Sequence, residues 1–347
     1  MKIVIEPGSL DAVRQHVPPA HSYVVIADSN VRALYADRIA HHLSECLVLD
    51  FPAGESNKNR TTWAALTDAM LARGVGRDCC VIGLGGGVTC DLAGFVAATY
   101  MRGVPVVQVP TSLLAMIDAA LGGKTGVDVP AGKNLVGAFH LPAAVVIDAT
   151  LLHTLPDAEL SNGLAEAIKH GAVADADYLN WIADSAAAIF ERRTHTLDSL
   201  IRRSVEIKRQ CVDADPREAG QRAILNFGHT IAHALEQISG YAIGHGHAVA
   251  LGMLIEAEIG SVLGVTHPDT TKEIYHALQA ARLPHEIVFD EIGPLLEATR
   301  ADKKRRAGAT RYVLLERAGR VARAADGNWT RVVPDDVIRE ALNQFSV

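Results

Sequence analysis

Val81-Ile82-Gly83-Leu84-Gly85-Gly86-Gly87-Val88-Thr89-Cys90-Asp91 carries the strongest architectural signal in the chain. It reads as the end of a strand, a glycine turn and the start of a helix. Glycines there let the backbone approach a pyrophosphate, and a helix N-terminus favours its negative charge. The spacing is not GxGxxG followed by an acid on the next strand. Taken alone, the turn fits a nucleotide-binding junction and also a tight strand–helix turn without ligand.

On either side of this turn, strand candidates are residues 23–27, 46–49, 80–83, 106–109 and 144–148, and Met1-Lys2-Ile3-Val4-Ile5-Glu6 reads as a first strand. Helix-like segments lie between them, at 61–73 and 92–100. This βαβα order implies a Rossmann-like parallel sheet with helices on both faces, and a nucleotide beyond the carboxyl ends of its strands. The turn Gly54-Glu55-Ser56-Asn57-Lys58 follows another strand and could contribute ribose or phosphate contacts. From about Leu155 apolar residues recur at helical spacing, through 160–170, 197–211, 230–238 and 248–263. Strand signals return only near 312–315 and 319–321. The expectation is an α/β domain over 1–154 and a mainly α-helical domain over 155–347, with the active site in the cleft between them.

The whole chain narrows the function. Its 347 residues are 49% hydrophobic with a formal net charge of -7, as in soluble globular proteins. The densest basic run, Lys303-Lys304-Arg305-Arg306, is too short to suggest nucleic acid binding. No apolar stretch reaches membrane-spanning length, and the N-terminus does not read as a signal peptide. Five cysteines without CxxC spacing fit reduced thiols in the cytoplasm. Lysine is scarce, 9 of 33 basic residues, and Lys58, Lys124, Lys133, Lys169, Lys208, Lys303 and Lys304 fall in glycine- or acid-bearing motifs. A compact ammonium in a tight site is not replaceable by arginine.

Two further segments carry chemistry. Asp118-Ala119-Ala120-Leu121-Gly122-Gly123-Lys124 leads into Gly132-Lys133-Asn134. The two Gly-Lys pairs look like anion contacts on permissive backbone, and a flexible loop is the plain alternative. In the second half, Glu166 and Lys169 share a helical face, His229 and His233 lie one turn apart, and Gly244-His245-Gly246-His247 adds imidazoles. One carboxylate and two histidines with an open fourth position is a standard catalytic zinc arrangement. The spacing alone does not choose among the histidines.

Taken together, Gly85-Gly86-Gly87-Val88, Tyr100-Met101-Arg102-Gly103, Pro110-Thr111-Ser112-Leu113-Leu114-Ala115, Gly122-Gly123-Lys124, Gly132-Lys133-Asn134, Leu164-Ala165-Glu166, Leu225-Asn226-Phe227-Gly228-His229-Thr230 and Asp302-Lys303-Lys304 resemble the 3-dehydroquinate synthase family, over essentially the whole chain. The resemblance implies a metal, zinc with cobalt as an alternative, on Glu166, His229 and His245. It implies NAD contacts from Asp28, Asn30, Glu55, Lys58, Gly86, Gly87, Asp91, Thr111, Ser112, Lys133, Leu152 and Thr154. It assigns catalysis to Asp118, Lys124, Lys169, Asn226 and His233, and substrate binding to Arg102, Asn134, Lys208, Arg222 and Lys303. A homodimer is implied, with Arg102 reaching the partner's site.

The family converts 3-deoxy-D-arabino-heptulosonate 7-phosphate to 3-dehydroquinate and phosphate. The route is transient oxidation by NAD, phosphate elimination, re-reduction and intramolecular aldol closure. Of the substrate's two anionic groups, phosphate is assigned mainly to Lys124, Asn134, Lys303, His233 and the neighbouring subunit's arginine, carboxylate to Lys208 and Arg222. Two departures stand out. Ala119-Ala120 replaces a serine pair common in the family, and His247 stands where an acid commonly follows His-Gly. The His-Gly-His run resembles cyclases acting on sedoheptulose 7-phosphate, such as valiolone-type synthases, which usually alter the positions that remain Lys208, Asn226 and Lys303 here. A metal-dependent alcohol dehydrogenase of the glycerol dehydrogenase type would not need the phosphate-binding lysines. A non-catalytic binding protein would tolerate loss of hydride-site or metal residues.

Overall fold

The computed structural model describes the chain except residues 217, 219, 286–291, 306–309, 346 and 347, and gives the backbone alone for 301–305. The described residues form two compact units, Met1–Pro156 with Leu197–Val205, and Asp157–Thr196 with Glu206–Val347.

The first unit is built on β1 (Lys2–Ile5), β2 (Ser22–Asp28), β3 (Cys46–Phe51), β4 (Cys79–Gly85), β5 (Val106–Pro110) and, after a hairpin of β6 (Lys124–Val129) and β7 (Gly132–Phe139), β8 (Ala144–Ile147). Six strands make one sheet in the order β1-β8-β5-β4-β2-β3, and every pairing in it is parallel. Central strands of such a sheet are covered on both faces and become continuous apolar runs. Val24, Val25 and Ile26 of β2 and Val81, Ile82 and Leu84 of β4 are accordingly fully buried. Each such side chain contributes about 1.5–3 kcal/mol on burial, so these two strands anchor the unit. From β2 the chain goes first to β3 on one side and then to β4 on the other. The carboxyl ends of β2 and β4 therefore flank the switch point of the sheet, where ligands bind in open α/β folds.

The short helices α1 (Ser29–Val31) and α2 (Asp37–Ala40) follow β2, α3 (Arg60–Ala72) follows β3, and α4 (Gly87–Thr99) follows β4. Asn59 caps α3 by accepting the Thr62 N–H at 3.0 Å. Helix α4 begins at Gly87, five residues before the segment expected from hydrophobic spacing. Val88 and Asp91 are already part of its first turns.

The segment 124–137 is where a loop reading fails. Lys124 opens β6 and pairs with Phe139 of β7, and the antiparallel register runs on through Thr125–Ala138, Gly126–Gly137 and Val127–Val136. Thr125, Val127 and Val136 supply the β-branched alternation that the surrounding glycines hide.

The second unit is mainly helical: α5 (Asp157–Ala174), α6 (Ala176–Phe190), α7 (Thr194–Ala214, shared with the first unit), α8 (His229–Ile238), α9 (His245–Val262), α10 (Asp269–Ala280), α11 (Gly293–Arg305) and α12 (Asp335–Asn343). Helix α5 buries Leu160, Leu164, Ala165 and Ile168, and α9 buries Val249, Met253, Leu254 and Ile255. The hairpin β10 (Leu315–Arg317)–β11 (Arg320–Val321) and the pair β9 (Arg311–Tyr312)–β12 (Arg331–Val332) complete the unit. The last strand carries no alternation in sequence and was not expected.

Candidate functional site

In the first unit Asp28, Glu55, Lys58, Gly86, Gly87, Thr111 and Ser112, among the residues expected to contact a nucleotide, lie at or just beyond the carboxyl ends of β2 to β5, whereas Lys133 lies on β7 and Leu152 and Thr154 follow β8. Gly86 precedes α4 with its backbone extended, and Thr111 donates its N–H to the Gly85 carbonyl at 2.9 Å, joining the ends of β4 and β5. Asp28 ends β2 and accepts the N–H groups of Asn30 and Val31 at 3.0 and 3.1 Å through Oδ1. Its Oδ2 accepts the Thr89 hydroxyl of α4 at 3.2 Å. Ser112 accepts the Ala115 N–H at 3.3 Å through its hydroxyl oxygen. Leu152 is buried, and the Thr154 hydroxyl lies 2.6 Å from that of Tyr35.

Lys58 is the electrostatic centre of this edge. Its side chain is 4% exposed, and its ammonium lies 2.7 Å from Glu55, 3.3 Å from Asp91 and 3.8 Å from Asp128. Burial lowers the Lys58 pKa, but the carboxylates outweigh it and hold the ammonium above its ordinary value. Burial pushes Asp91 up to about 6 against the pull of Lys58. Asp128 also accepts the Asn134 N–H at 2.8 Å, and Asn134 adopts a left-handed φ of 53°. The expected NAD lysine and the expected phosphate-binding asparagine thus share one carboxylate that sequence reasoning passed over. Lys124 and Asn134 are exposed, and Asp118 and Lys133 are half-buried. Arg102 is exposed at a φ of 68° beside Met101 at 49°, both left-handed.

In the second unit Glu166, His229 and His245 converge. One ligand atom from each lies within 4.8 Å of the others. Nε2 of His229 and of His245 stand 3.5 and 3.6 Å from Glu166 Oε1. These separations exceed a hydrogen bond, and two ligands about 2.0–2.1 Å from a tetrahedral metal would lie about 3.3 Å apart. Both Glu166 oxygens are buried, and among the described residues neither is satisfied by a regular hydrogen bond. The Lys169 ammonium lies against Oε2. The donor set therefore fits a zinc-type cation.

The histidines are oriented by their other nitrogens. His229 Nδ1 lies 3.2 Å from the Phe227 carbonyl, and His245 Nδ1 lies 3.5 Å from the buried Glu236 carboxylate. Each ring is left presenting Nε2 to Glu166. Burial and the Lys169 charge hold His229 well below its ordinary pKa, so it is neutral and able to ligate. Burial would raise Glu166, but Lys169 and the two imidazoles overcome it and hold the carboxyl well below its usual range. Burial lowers His245, but Glu166 and Glu236 push it up to about 9, so a cation binding there displaces a proton.

Of the other expected residues, His233 is exposed, with its ring centroid 5.6 Å from that of His229. Lys169, Lys208 and Arg222 are 2%, 7% and 2% exposed. All three act on Cys211: burial raises its thiol, and Lys208, Lys169 and Arg222 pull it back. The unit thus buries three cations whose charges all reach Cys211. Asn226 donates to Glu218 Oε1 at 2.7 Å, and Glu218 has a left-handed φ of 57°. Glu218 was missed because a lone acid in a polar segment carries no spacing signal. Lys303 belongs to α11, but its side chain lies outside the described residues.

The profile of the 3-dehydroquinate synthase N-terminal domain matches residues 48–162, and that of the C-terminal domain matches residues 163–305. The chain belongs to the 3-dehydroquinate synthase family. It is 42% identical over 350 residues to a 3-dehydroquinate synthase of Xanthomonas axonopodis pv. citri, covering 96% of this chain and 92% of that one. It is 40% identical over 339 residues to the 3-dehydroquinate synthase of Symbiobacterium thermophilum, covering 95% and 92%. Among solved structures it resembles the 2-epi-5-epi-valiolone synthase of Streptomyces hygroscopicus subsp. jinggangensis, which holds NAD+ and Zn2+. The TM-score is 0.89 at 27% identity, over 99% of this chain and 96% of that one. A probable glycerol dehydrogenase of Sinorhizobium meliloti, at 17% identity, TM-score 0.68 and coverage of 99% and 96%, shares the fold alone. The dehydroquinate synthase-like fold expected from the motifs is the fold observed. No helix among the described residues is long and apolar enough to cross a membrane.

Proposed function

We propose that the protein is a 3-dehydroquinate synthase that converts 3-deoxy-D-arabino-heptulosonate 7-phosphate to 3-dehydroquinate and phosphate, with NAD and zinc (or cobalt) as cofactors. Residues 1–154 bind NAD, and residues 155–347 bind the metal and much of the substrate. The observation that carries this reading is the buried cation set Lys169, Lys208 and Arg222 in the unit that also brings Glu166, His229 and His245 together. Lys169 is paired with Glu166, and a further Lys208 and Arg222 buried in the same unit suit a substrate that carries phosphate and carboxylate better than a simple alcohol. The relatives at 40–42% identity support the same choice.

When bound, NAD supplies reversible hydride acceptance and the metal supplies Lewis acidity. The chain's own residues do the rest. Glu166, with His229 and His245 through Nε2, forms the metal seat. Lys208 and Arg222 bind the carboxylate, and arginine can do so bidentately. To Lys124, Asn134, His233 and Lys303 we assign the phosphate, and to Asp118, Lys169 and Asn226 the catalytic steps. Lys58, held by Glu55, Asp91 and Asp128, keeps the turn before α3 in place for the nucleotide, with Asp28, Asn30, Gly86, Gly87, Thr111, Ser112, Lys133, Leu152 and Thr154 as further contacts. Phosphate leaves as an anion from a site whose cations also stabilise the charge developing on it.

A cytoplasmic homodimer in which Arg102 completes the neighbouring site belongs to the same proposal. It is supported by exposed Leu135, Phe139 and Leu141 along and just beyond β7. His140 Nε2, between the last two, lies 2.9 Å from the Val104 carbonyl and ties this apolar strip to the Arg102 turn. The test is phosphate release from the carboxylated heptulosonate phosphate and from sedoheptulose 7-phosphate. Preference for the first is expected. Preference for the second would move the protein to the valiolone-type cyclases.

A further inference from the structure

The metal seat depends on the first turns of two helices. His229 is the first residue of α8 and His245 the first of α9, and neither helix is capped by the side chain of the residue before it, Gly228 or Gly244. The caps come from other helices of the same seat. Glu256, on α9 and three turns beyond His245, accepts the Gly228 N–H at 2.8 Å through Oε2, and the Thr230 and Ile231 N–H groups at 3.1 and 3.3 Å through Oε1. Asn162, on α5 and one turn before Glu166, accepts the Gly246 N–H of α9 at 2.6 Å through Oδ1. The relay runs α5 to α9 to α8, and each of these helices carries one member of the triad.

Backbone contact tightens both joints. Gly228 has a φ of 80°, and a Cβ there would lie 2.8 Å from the Met253 side chain and 2.9 Å from its backbone nitrogen. A Cβ on Gly246 would lie 2.3 Å from the Asn162 carbonyl oxygen. Glu256 itself is fully buried between Ile255 and Ala257, also buried. A carboxylate in such a place is costly unless it is satisfied. At position 228 a serine or aspartate cap is shut out by the φ of 80° and the Met253 contact, so the cap of α8 has to come from another helix.

We propose that Glu256, assisted by Asn162, is a positioning residue for the metal seat: it fixes the first turn of α8 on α9, and so sets His229 against His245. This rests on the metal assignment made above. The test is Co2+ affinity and the visible Co2+ spectrum of the full-length protein after chelation and dialysis, for wild type, Glu256→Gln, Asn162→Ala, His229→Ala and Leu278→Ala. Glutamine keeps one acceptor oxygen but turns an NH2 toward a backbone N–H. Leu278, fully buried on α10, controls for general loosening of the unit. Glu256→Gln is expected to weaken Co2+ binding about 10- to 100-fold and to change its spectrum, Asn162→Ala to weaken it in the same sense, and Leu278→Ala to leave it unchanged. Affinity and spectrum as in wild type for a folded Glu256→Gln would overturn the proposal, as would an equal loss in Leu278→Ala. If Glu256→Gln does not fold, Asn162→Ala decides: wild-type affinity there overturns it. If wild type binds no Co2+, or His229→Ala binds it equally well, the metal assignment itself fails and takes the positioning role with it.

Discussion

Replacing Glu166 by glutamine removes a charge without changing shape, at a position where burial sets the cost. Glu166 is 0% and Lys169 2% exposed. Removing one member of a buried ion pair costs about 3–5 kcal/mol because the other charge stays buried. With an m-value of roughly 2–3 kcal/mol per molar urea, the midpoint of the metal-free protein should fall by about 1–2.5 M. The second change Lys169→Met removes the stranded ammonium. Replacing both members of such a pair by residues of similar volume is often close to neutral, so Glu166→Gln/Lys169→Met should return to within about 1 kcal/mol of wild type. Neither variant should hold metal. The assay is equilibrium urea unfolding followed by circular dichroism in the presence of a chelator, with metal content measured separately. A double variant no more stable than Glu166→Gln would refute the reasoning, since the loss would then not come from a buried unpaired charge.

Metal analysis of five alanine variants should find metal lost in those at Glu166, His229 and His245 and kept in those at His233 and His247; retention without His245 would break the assigned set. Lys208→Met should lower kcat/KM about ten- to hundred-fold for the carboxylated substrate and much less for sedoheptulose 7-phosphate, because a charge-assisted hydrogen bond is worth roughly 1.5–3 kcal/mol. Asp91, with its pKa about 6 in the folded chain, binds its proton more tightly there than in the unfolded chain. The stability it contributes is present below about pH 4 and is lost as pH rises toward 6, by at most about 3 kcal/mol. Asp91→Asn should lack this decline, and urea midpoints at pH 4.5 and 7 falling in parallel for both proteins would count against it.

The parts of the fold that were legible in the sequence are those where one face or both must be apolar. The buried runs of β2 and β4 and the spacing of α5, α8 and α9 marked themselves. The β6–β7 hairpin did not, because Gly122, Gly123, Gly126, Gly132 and Gly137 dilute its alternation. Glu166, His229 and His245 were legible as a family motif, not by spacing, since HxxxH points equally to His233. What holds them was hidden. Glu256 lies in an apolar helix, and a carboxylate on such a face is the signal that could have found it. Asp128 and Glu218 act through contacts at least six residues away, and no local period announces them.

The proposed reaction is a redox-neutral cyclisation of a carboxylated sugar phosphate. Its most direct test incubates the metal-loaded protein with 3-deoxy-D-arabino-heptulosonate 7-phosphate and NAD well below substrate concentration, following phosphate, NADH and product together. One phosphate and one 3-dehydroquinate per substrate consumed are expected, with many turnovers per NAD and no NADH build-up. NADH rising in step with substrate loss, or phosphate release without the carbocycle, would contradict it.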